Sequence, residues 1–203
     1  MVQVLQKPVT FAEFADWKPD GERYELHNGV IVEMSQPTGP HEDIIGFTAR
    51  KITVEFDRLN LPYSIPKQAL VKPPESESGY LPDILLLNKT NLVNEPLWQK
   101  QSTVTQAASI PLIVEVVSTW RDDYLTKLRD YEEIGIPEYW IIDYLGLGGI
   151  RYIGSPKQPT ISIHLLIDGE YQVTQFRNDE KIISPTFPDL NLTAKQIFQA
   201  GNM

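Results

Sequence analysis

Residues 111–118 read Pro-Leu-Ile-Val-Glu-Val-Val-Ser. Apart from the glutamate, both faces of a strand built from this run are apolar. That predicts a strand buried on both sides, at the centre of a sheet covered by other layers. Glu115 then projects to the same side as Ile113 and Val117. A carboxylate there needs a compensating partner or must become neutral. Residues 80–87, Tyr-Leu-Pro-Asp-Ile-Leu-Leu-Leu, repeat the pattern with Asp83 just inside an apolar run. Pro82 suits the start of such a strand, where a ladder donor is least missed. Two nearby carboxylates repel unless a cation sits between them or they share a proton. Taken singly, Asp83 reads as well structurally, as an exposed acid or one paired with a backbone amide, as it does functionally; Glu115 reads as a functional residue ahead of half of a structural ion pair.

The remaining pattern supplies the layers. A short helix is expected at 10–17 with Thr10 as its N-cap. A hairpin follows at 24–34, turning on Asn28-Gly29. Residues 41–59 carry the stripe His41, Ile45, Thr48, Ile52, Phe56 and Leu59 and predict an amphipathic helix. A strand is expected at 63–71, an exposed loop at 72–79, and a short helix near 92–101. Residues 121–135 predict a helix stopped by Gly135 and Pro137. Strands are expected at 138–144, 149–153, 160–167 and 170–176, the last two joined at Asp168-Gly169, with a closing helix at 193–199. Together these predict an α/β or mixed α+β fold on a mixed sheet, with a β-rich C-terminal part.

The helix at 121–135 sharpens the charge problem. Its apolar stripe is Tyr124, Leu128, Tyr131 and Ile134, and Lys127 falls on that stripe rather than on the charged face. Such a lysine either snorkels to the edge of the helix or sends its ammonium toward Asp83 and Glu115. Asp123, one turn earlier, can pair with it. Asp, Glu and Lys converging at the end of a central sheet suit a hard divalent cation, Mg²⁺ or Mn²⁺, held through oxygen. The chemistry such a set supports is phosphodiester hydrolysis, with the lysine orienting or deprotonating water or holding a phosphate oxygen.

Composition bounds these readings. The 203 residues include no cysteine, which excludes disulfides, thiolate-held metals and a thiol nucleophile. Against 27 acids stand 18 bases, a net charge of −9 that argues against broad coating of nucleic acid. No apolar run approaches the ~20 residues that span a bilayer. The N-terminal ten residues lack the pattern of a signal peptide. A cytoplasmic protein of one domain, 1–203, with no membrane partner is expected.

The ordered set resembles one branch of the PD-(D/E)XK nuclease superfamily, the restriction-endonuclease-like branch long carried as a domain of unknown function. The resembling stretches are Tyr24-Glu25-Leu26 with Gly29, Met34-Ser35, His41 after a Pro/Gly loop, and Pro82-Asp83. Further on come residues 111–118, Asp123 with Lys127 and Tyr131, and residues 135–143. The superfamily lysine would stand two residues after the glutamate, where this chain has Val117, and Lys127 is the displaced equivalent. The resemblance implies a restriction-endonuclease-like core and a metal held by Asp83, Glu115 and the carbonyl of Val116, with Lys127 as catalytic lysine. It also implies Glu25, His41 and Tyr131 as supporting residues. His41 reads equally as a capping or core histidine, and it is the only nitrogen considered for the metal. His27 and His164 read as structural. The expected function is a Mg²⁺- or Mn²⁺-dependent endonuclease acting on nucleic acid, DNA ahead of RNA. The alternative is a non-catalytic binding or assembly module in which the acid/lysine cluster only stabilises the fold. A metal-free hydrolase using the two carboxylates as acid and base is a third reading. A homodimer is expected from the frequency of two-fold assemblies and the aromatic-rich β tail.

Overall fold

The computed structural model describes residues 8–19, 21–118 and 122–201. In chain order its elements are α1 (Phe11–Trp17), β1 (Tyr24–His27), β2 (Val30–Glu33), α2 (Gly39–Arg58), β3 (Tyr63–Ser64), β4 (Leu70–Val71) and β5 (Ile84–Asn88). Then come α3 (Trp98–Gln101), β6 (Thr103–Val104), β7 (Leu112–Val116), α4 (Lys127–Ile134), β8 (Glu138–Asp143), α5 (Ile150–Ile153), β9 (Thr160–Ile167), β10 (Glu170–Phe176) and α6 (Ala194–Ala200). All five residues of β7 are buried, as a strand covered on both faces requires.

β7 lies inside a six-stranded sheet of order β10-β9-β8-β7-β5-β3. Its pairing with β8 is parallel, and every other pairing in that sheet is antiparallel. The parallel pair needs a crossover, which α4 supplies. Alternation along β7 sorts the core into two layers. Leu112, Val114 and Val116 join Ile44, Ile52 and Phe56 of α2 and Ile197 of α6 on one face. Ile113 and Val117 join Tyr131 of α4 and Tyr139 and Ile141 of β8 on the other. The result is a mixed sheet between helical layers. Among the described residues no helix is long and apolar enough to cross a membrane.

Local chemistry explains the element ends. Thr10 and Glu13 form a reciprocal capping box on α1, and Thr193 and Gln196 do the same on α6. Asn28 and Gly29 (φ +49° and +80°) form the left-handed two-residue turn that closes β1 onto β2. Asp168 and Gly169 do the same between β9 and β10. Gly135, at φ +88°, ends α4 and accepts the left-handed cap that its Cβ-less backbone favours.

Several expected elements differ. The strand expected at 63–71 is two dipeptides, β3 at the edge of the large sheet and β4 in a separate parallel pair with β6. Pro66 lies between them and cannot donate to a ladder. The strand expected at 80–87 begins only at Ile84, after Pro82, although Tyr80 bridges Val71. The helix expected at 92–101 breaks at Pro96 into a 3₁₀ turn, Leu92–Asn94, and α3. On α2 the buried stripe runs through Ile44 rather than Ile45, and Leu59 caps the helix partly exposed. The strand expected at 149–153 is the helix α5, whose Tyr152 stacks on Tyr124 with ring centroids 5.1 Å apart. The helix expected from residue 121 opens with a π turn, Asp122–Thr126, and residue 121 lies outside the described residues. Residues 1–7 lie outside them too.

A Cβ built on Gly135 would meet only Ala107 Cβ at 3.7 Å and Leu166 Cδ2 at 3.9 Å, so the site has room and the constraint is the backbone angle. Gly135→Ala is therefore expected to lower stability by about 1 kcal/mol, read as a lower urea midpoint with unchanged slope.

Candidate active site

Continuing the antiparallel register of β5 and β7 by one residue sets Asp83 opposite Glu115, since Ile84 pairs with Val114. Both side chains occupy the α4 side of the sheet. Asp83 Oδ2 accepts from the Val116 backbone N–H at 2.8 Å. Glu115 Oε1 accepts from Lys127 Nζ at 3.0 Å and from the Tyr131 hydroxyl at 3.1 Å. Lys127 does not snorkel: it is 3% exposed, and its ammonium also lies 3.1 Å from Glu25 Oε1 and 3.8 Å from Asp123 Oδ1. The pairing of Lys127 with Asp123 across one turn is thus present, and the π turn carries the aspartate.

Glu25 comes from the hairpin. Its Oε1 also accepts from Leu81 N at 2.8 Å, and His27 Nε2 lies 2.7 Å from its Oε2. His27, read as structural from the sequence, is thus a partner of a site acid. His164 packs instead against the rings of Tyr139 and Tyr171. His41, at the start of α2, directs Nε2 to the Val116 carbonyl at 2.9 Å, with Asp83 Oδ2 at 3.6 Å. Both neighbours are acceptors, so Nε2 carries the proton. Burial holds the pKa of His41 below its ordinary value, against the bond to Val116. His41 therefore braces the carbonyl and does not offer Nε2 as a lone pair.

These groups line one cavity of about 480 Å³ that contains Arg23, Glu25, His41, Asp83, Glu115, Asp123 and Lys127 in its wall. A smaller cavity of about 270 Å³, walled by Lys18, Gln68 and Lys100 among others, holds none of the acids. Arg23 was not singled out from the sequence, yet its guanidinium stands 3.9 Å from Asp83 Oδ1. The signal that could have found it is strand alternation: Arg23, Glu25 and His27 fall on one side of β1.

Charge is unevenly distributed. Burial works against ionisation of Glu25, but Lys127 with the His27 and Leu81 bonds outweighs it and brings its pKa down to about 2. Burial pushes Glu115 up to about 8, against Lys127, with Asp83 and Glu25 adding repulsion. It pushes Asp83 up to about 7, against the Val116 bond. Lys127 stays an ammonium: burial disfavours the charge, but Glu115, Glu25 and Asp123 together raise its pKa well above normal. One buried cation thus serves Glu25 fully and leaves Asp83 and Glu115 short of positive charge.

A divalent cation suits this donor set in kind. Asp83 and Glu115 offer hard oxygens whose charge is under-compensated, and the Val116 carbonyl keeps a second lone pair beside the one His41 uses. Among the described residues, no three His, Asp or Glu side chains are gathered as a ready-made cation site.

The model of the family described as "Putative restriction endonuclease", Uma2, matches residues 11–195. The chain belongs to the Uma2 family. A crystal structure from Anabaena variabilis, described as a putative nuclease belonging to DUF820, superposes with a TM-score of 0.72. That likeness covers 96% of this chain and 99% of the other at 16% identity, and so speaks for a shared fold. No match is found among curated proteins. For this Uma2 chain the nuclease-like, restriction-endonuclease-like core expected from the sequence is therefore in place.

Two outcomes follow from the charge arrangement. Removing Lys127 leaves the Glu25 carboxylate buried without its counter-charge, so Lys127→Met is expected to cost about 3–5 kcal/mol near neutral pH, measured by chemical denaturation. Glu115 behaves in the opposite sense. Its folded pKa, about 8, lies above the ordinary glutamate value of 4.5, so folding retains a proton and stability is lost as pH rises between those values. Glu115→Gln is expected to stabilise the metal-free protein by about 2 kcal/mol at about pH 9 and by little at about pH 4. Thermal melts in chelator across that range check it.

Proposed function

We propose that this protein is a metal-dependent endonuclease that hydrolyses phosphodiester bonds in nucleic acid, with DNA as substrate. The observation that carries the reading is a pair of carboxylates at one cavity: Asp83, just before β5, and Glu115, within the buried strand β7. Both have pKa values pushed up by burial, and Lys127 Nζ is 3.0 Å from the second. Carboxylates short of positive charge are what a cation site needs before it fills. Asp83, Glu115 and the Val116 carbonyl would hold Mg²⁺ or Mn²⁺. When bound, such a cation supplies Lewis acidity, making water more acidic and offsetting charge on the phosphoryl oxygens.

The protein's own groups divide the rest. Lys127, kept as an ammonium by three carboxylates, donates and does not accept, so it orients water or a phosphate oxygen and is not the general base. Tyr131 holds Glu115 from the α4 side, and Glu25 with His27 fixes the other side of Lys127. His41 fixes the carbonyl of Val116. Hydrolysis adds water across the P–O ester bond and leaves a phosphomonoester and a hydroxyl.

The specific observation favouring a non-catalytic module is that Lys127 is already ion-paired with three acids. The readings separate on metal and activity. Calorimetric titration of Mn²⁺ is expected to show one site in the wild type and none in Asp83→Ala. Plasmid nicking in Mg²⁺ or Mn²⁺ is expected to fall at least about 100-fold in Glu115→Gln. Absence of Mn²⁺ binding to the wild type would sink the metal-dependent reading and leave the module.

A further inference from the structure

The hydrogen-bond ladder of the β1–β2 hairpin extends one residue beyond β1, because Met34 N donates to Arg23 O at 2.9 Å. Arg23, Glu25 and His27 therefore alternate onto one side of the hairpin, and all three line the cavity. Tyr24 and Leu26 turn the other way, into the cluster around Phe11 and Phe14.

The basic groups in the cavity wall are not equivalent. Lys127 is 3% exposed and spent on carboxylates. His27 is engaged with Glu25, and His41 with the Val116 carbonyl. The Arg23 side chain is 35% exposed, and its closest acid among the described residues is Asp83 at 3.9 Å, outside hydrogen-bond reach. A guanidinium has five N–H donors and stays charged at any working pH. Here those donors border the cavity without a tight protein acceptor.

The polyanion to be bound makes such a group necessary. At a net charge of −9 the chain repels nucleic acid at long range, so attraction has to come from local contacts. Glu25, on the same side of the hairpin as Arg23, has its charge offset by Lys127 and His27. We infer that Arg23 is a substrate-positioning residue, binding the non-bridging oxygens of a backbone phosphate of the nucleic acid whose ester bond lies at Asp83 and Glu115. The inference rests on the nuclease reading and deepens it by assigning the phosphate contact to the hairpin. Guanidinium and phosphate match in a two-pronged geometry that an ammonium does not reproduce.

The alternative is that Arg23 serves only as counter-charge to Asp83. The two roles act on different readouts. Removing a counter-charge raises the affinity of Asp83 for any cation, proton or Mn²⁺ alike, with no effect on nucleic-acid affinity at a fixed, saturating cation. Removing a phosphate contact weakens nucleic-acid binding and makes it less salt-sensitive.

The test is fluorescence anisotropy with a short labelled DNA duplex, with Ca²⁺ in place of Mg²⁺, over a series of salt concentrations. Wild type, Arg23→Gln and Arg23→Lys are compared, each checked for a native thermal transition. Arg23→Gln is expected to weaken binding about tenfold and to reduce the slope of log K against log salt by about 1. Arg23→Lys is expected to keep the wild-type slope with an intermediate affinity. Equal affinity and slope for wild type and Arg23→Gln would overturn the inference while leaving the nuclease reading intact. A wild type that binds no DNA at any salt and nicks no plasmid would overturn both.

Discussion

One buried ammonium organises this molecule. Lys127 draws together a glutamate from the hairpin, a glutamate from the central strand and an aspartate from the π turn. Those three acids belong to parts of the chain that share no hydrogen-bonded ladder. A buried charge tolerates few arrangements, because any geometry that separates it from its partners costs several kcal/mol. The hairpin, β7 and the start of α4 are thereby held to one relative placement, and the cavity is what that placement leaves open.

The same shortage of positive charge makes the acids unequal. Glu25 receives Lys127, His27 and a backbone amide and stays ionised far into acid. Asp83, just ahead of β5, and Glu115, within β7, stand close enough to repel each other and compete for what is left. The carboxyl groups closest to the lysine and to Val116 thus divide into one fixed anion, Glu25, two that hold protons near neutrality, Asp83 and Glu115, and Asp123 at the edge of the lysine. That division follows from hydrogen bonds and burial, not from residue type: Glu25 and Glu115 have the same side chain and opposite shifts.

Much of this was legible before any coordinates. An octapeptide apolar on both faces can only be a covered strand, and an acid inside it must be compensated, which located Glu115. Helical phase put Lys127 on the buried side of α4. Asn28-Gly29 and Asp168-Gly169 announced their turns because each needs two left-handed residues. What stayed hidden depended on partners distant in sequence. Nothing local says that Asp83 stands opposite Glu115, since register is a property of two strands. Nor does a local pattern show that Asp130, beside Arg129 on α4, is buried to meet the Tyr80 hydroxyl. Apolar content alone made residues 149–153 look extended, whereas Tyr152 stacking on Tyr124 favours a helical turn. Arg23 and His27 were within reach by the same period-two argument that placed Glu115.

Val116 is held at both of its backbone polar groups: its N–H by Asp83 beside β5, its carbonyl by His41 of α2. The two groups lie in successive peptide planes that meet at one Cα. A helix that looks like packing material for the sheet thus shares a single residue of β7 with one of the two carboxylates. The outer layer and the floor of the cavity are one residue apart, and that residue is neither an acid nor a base.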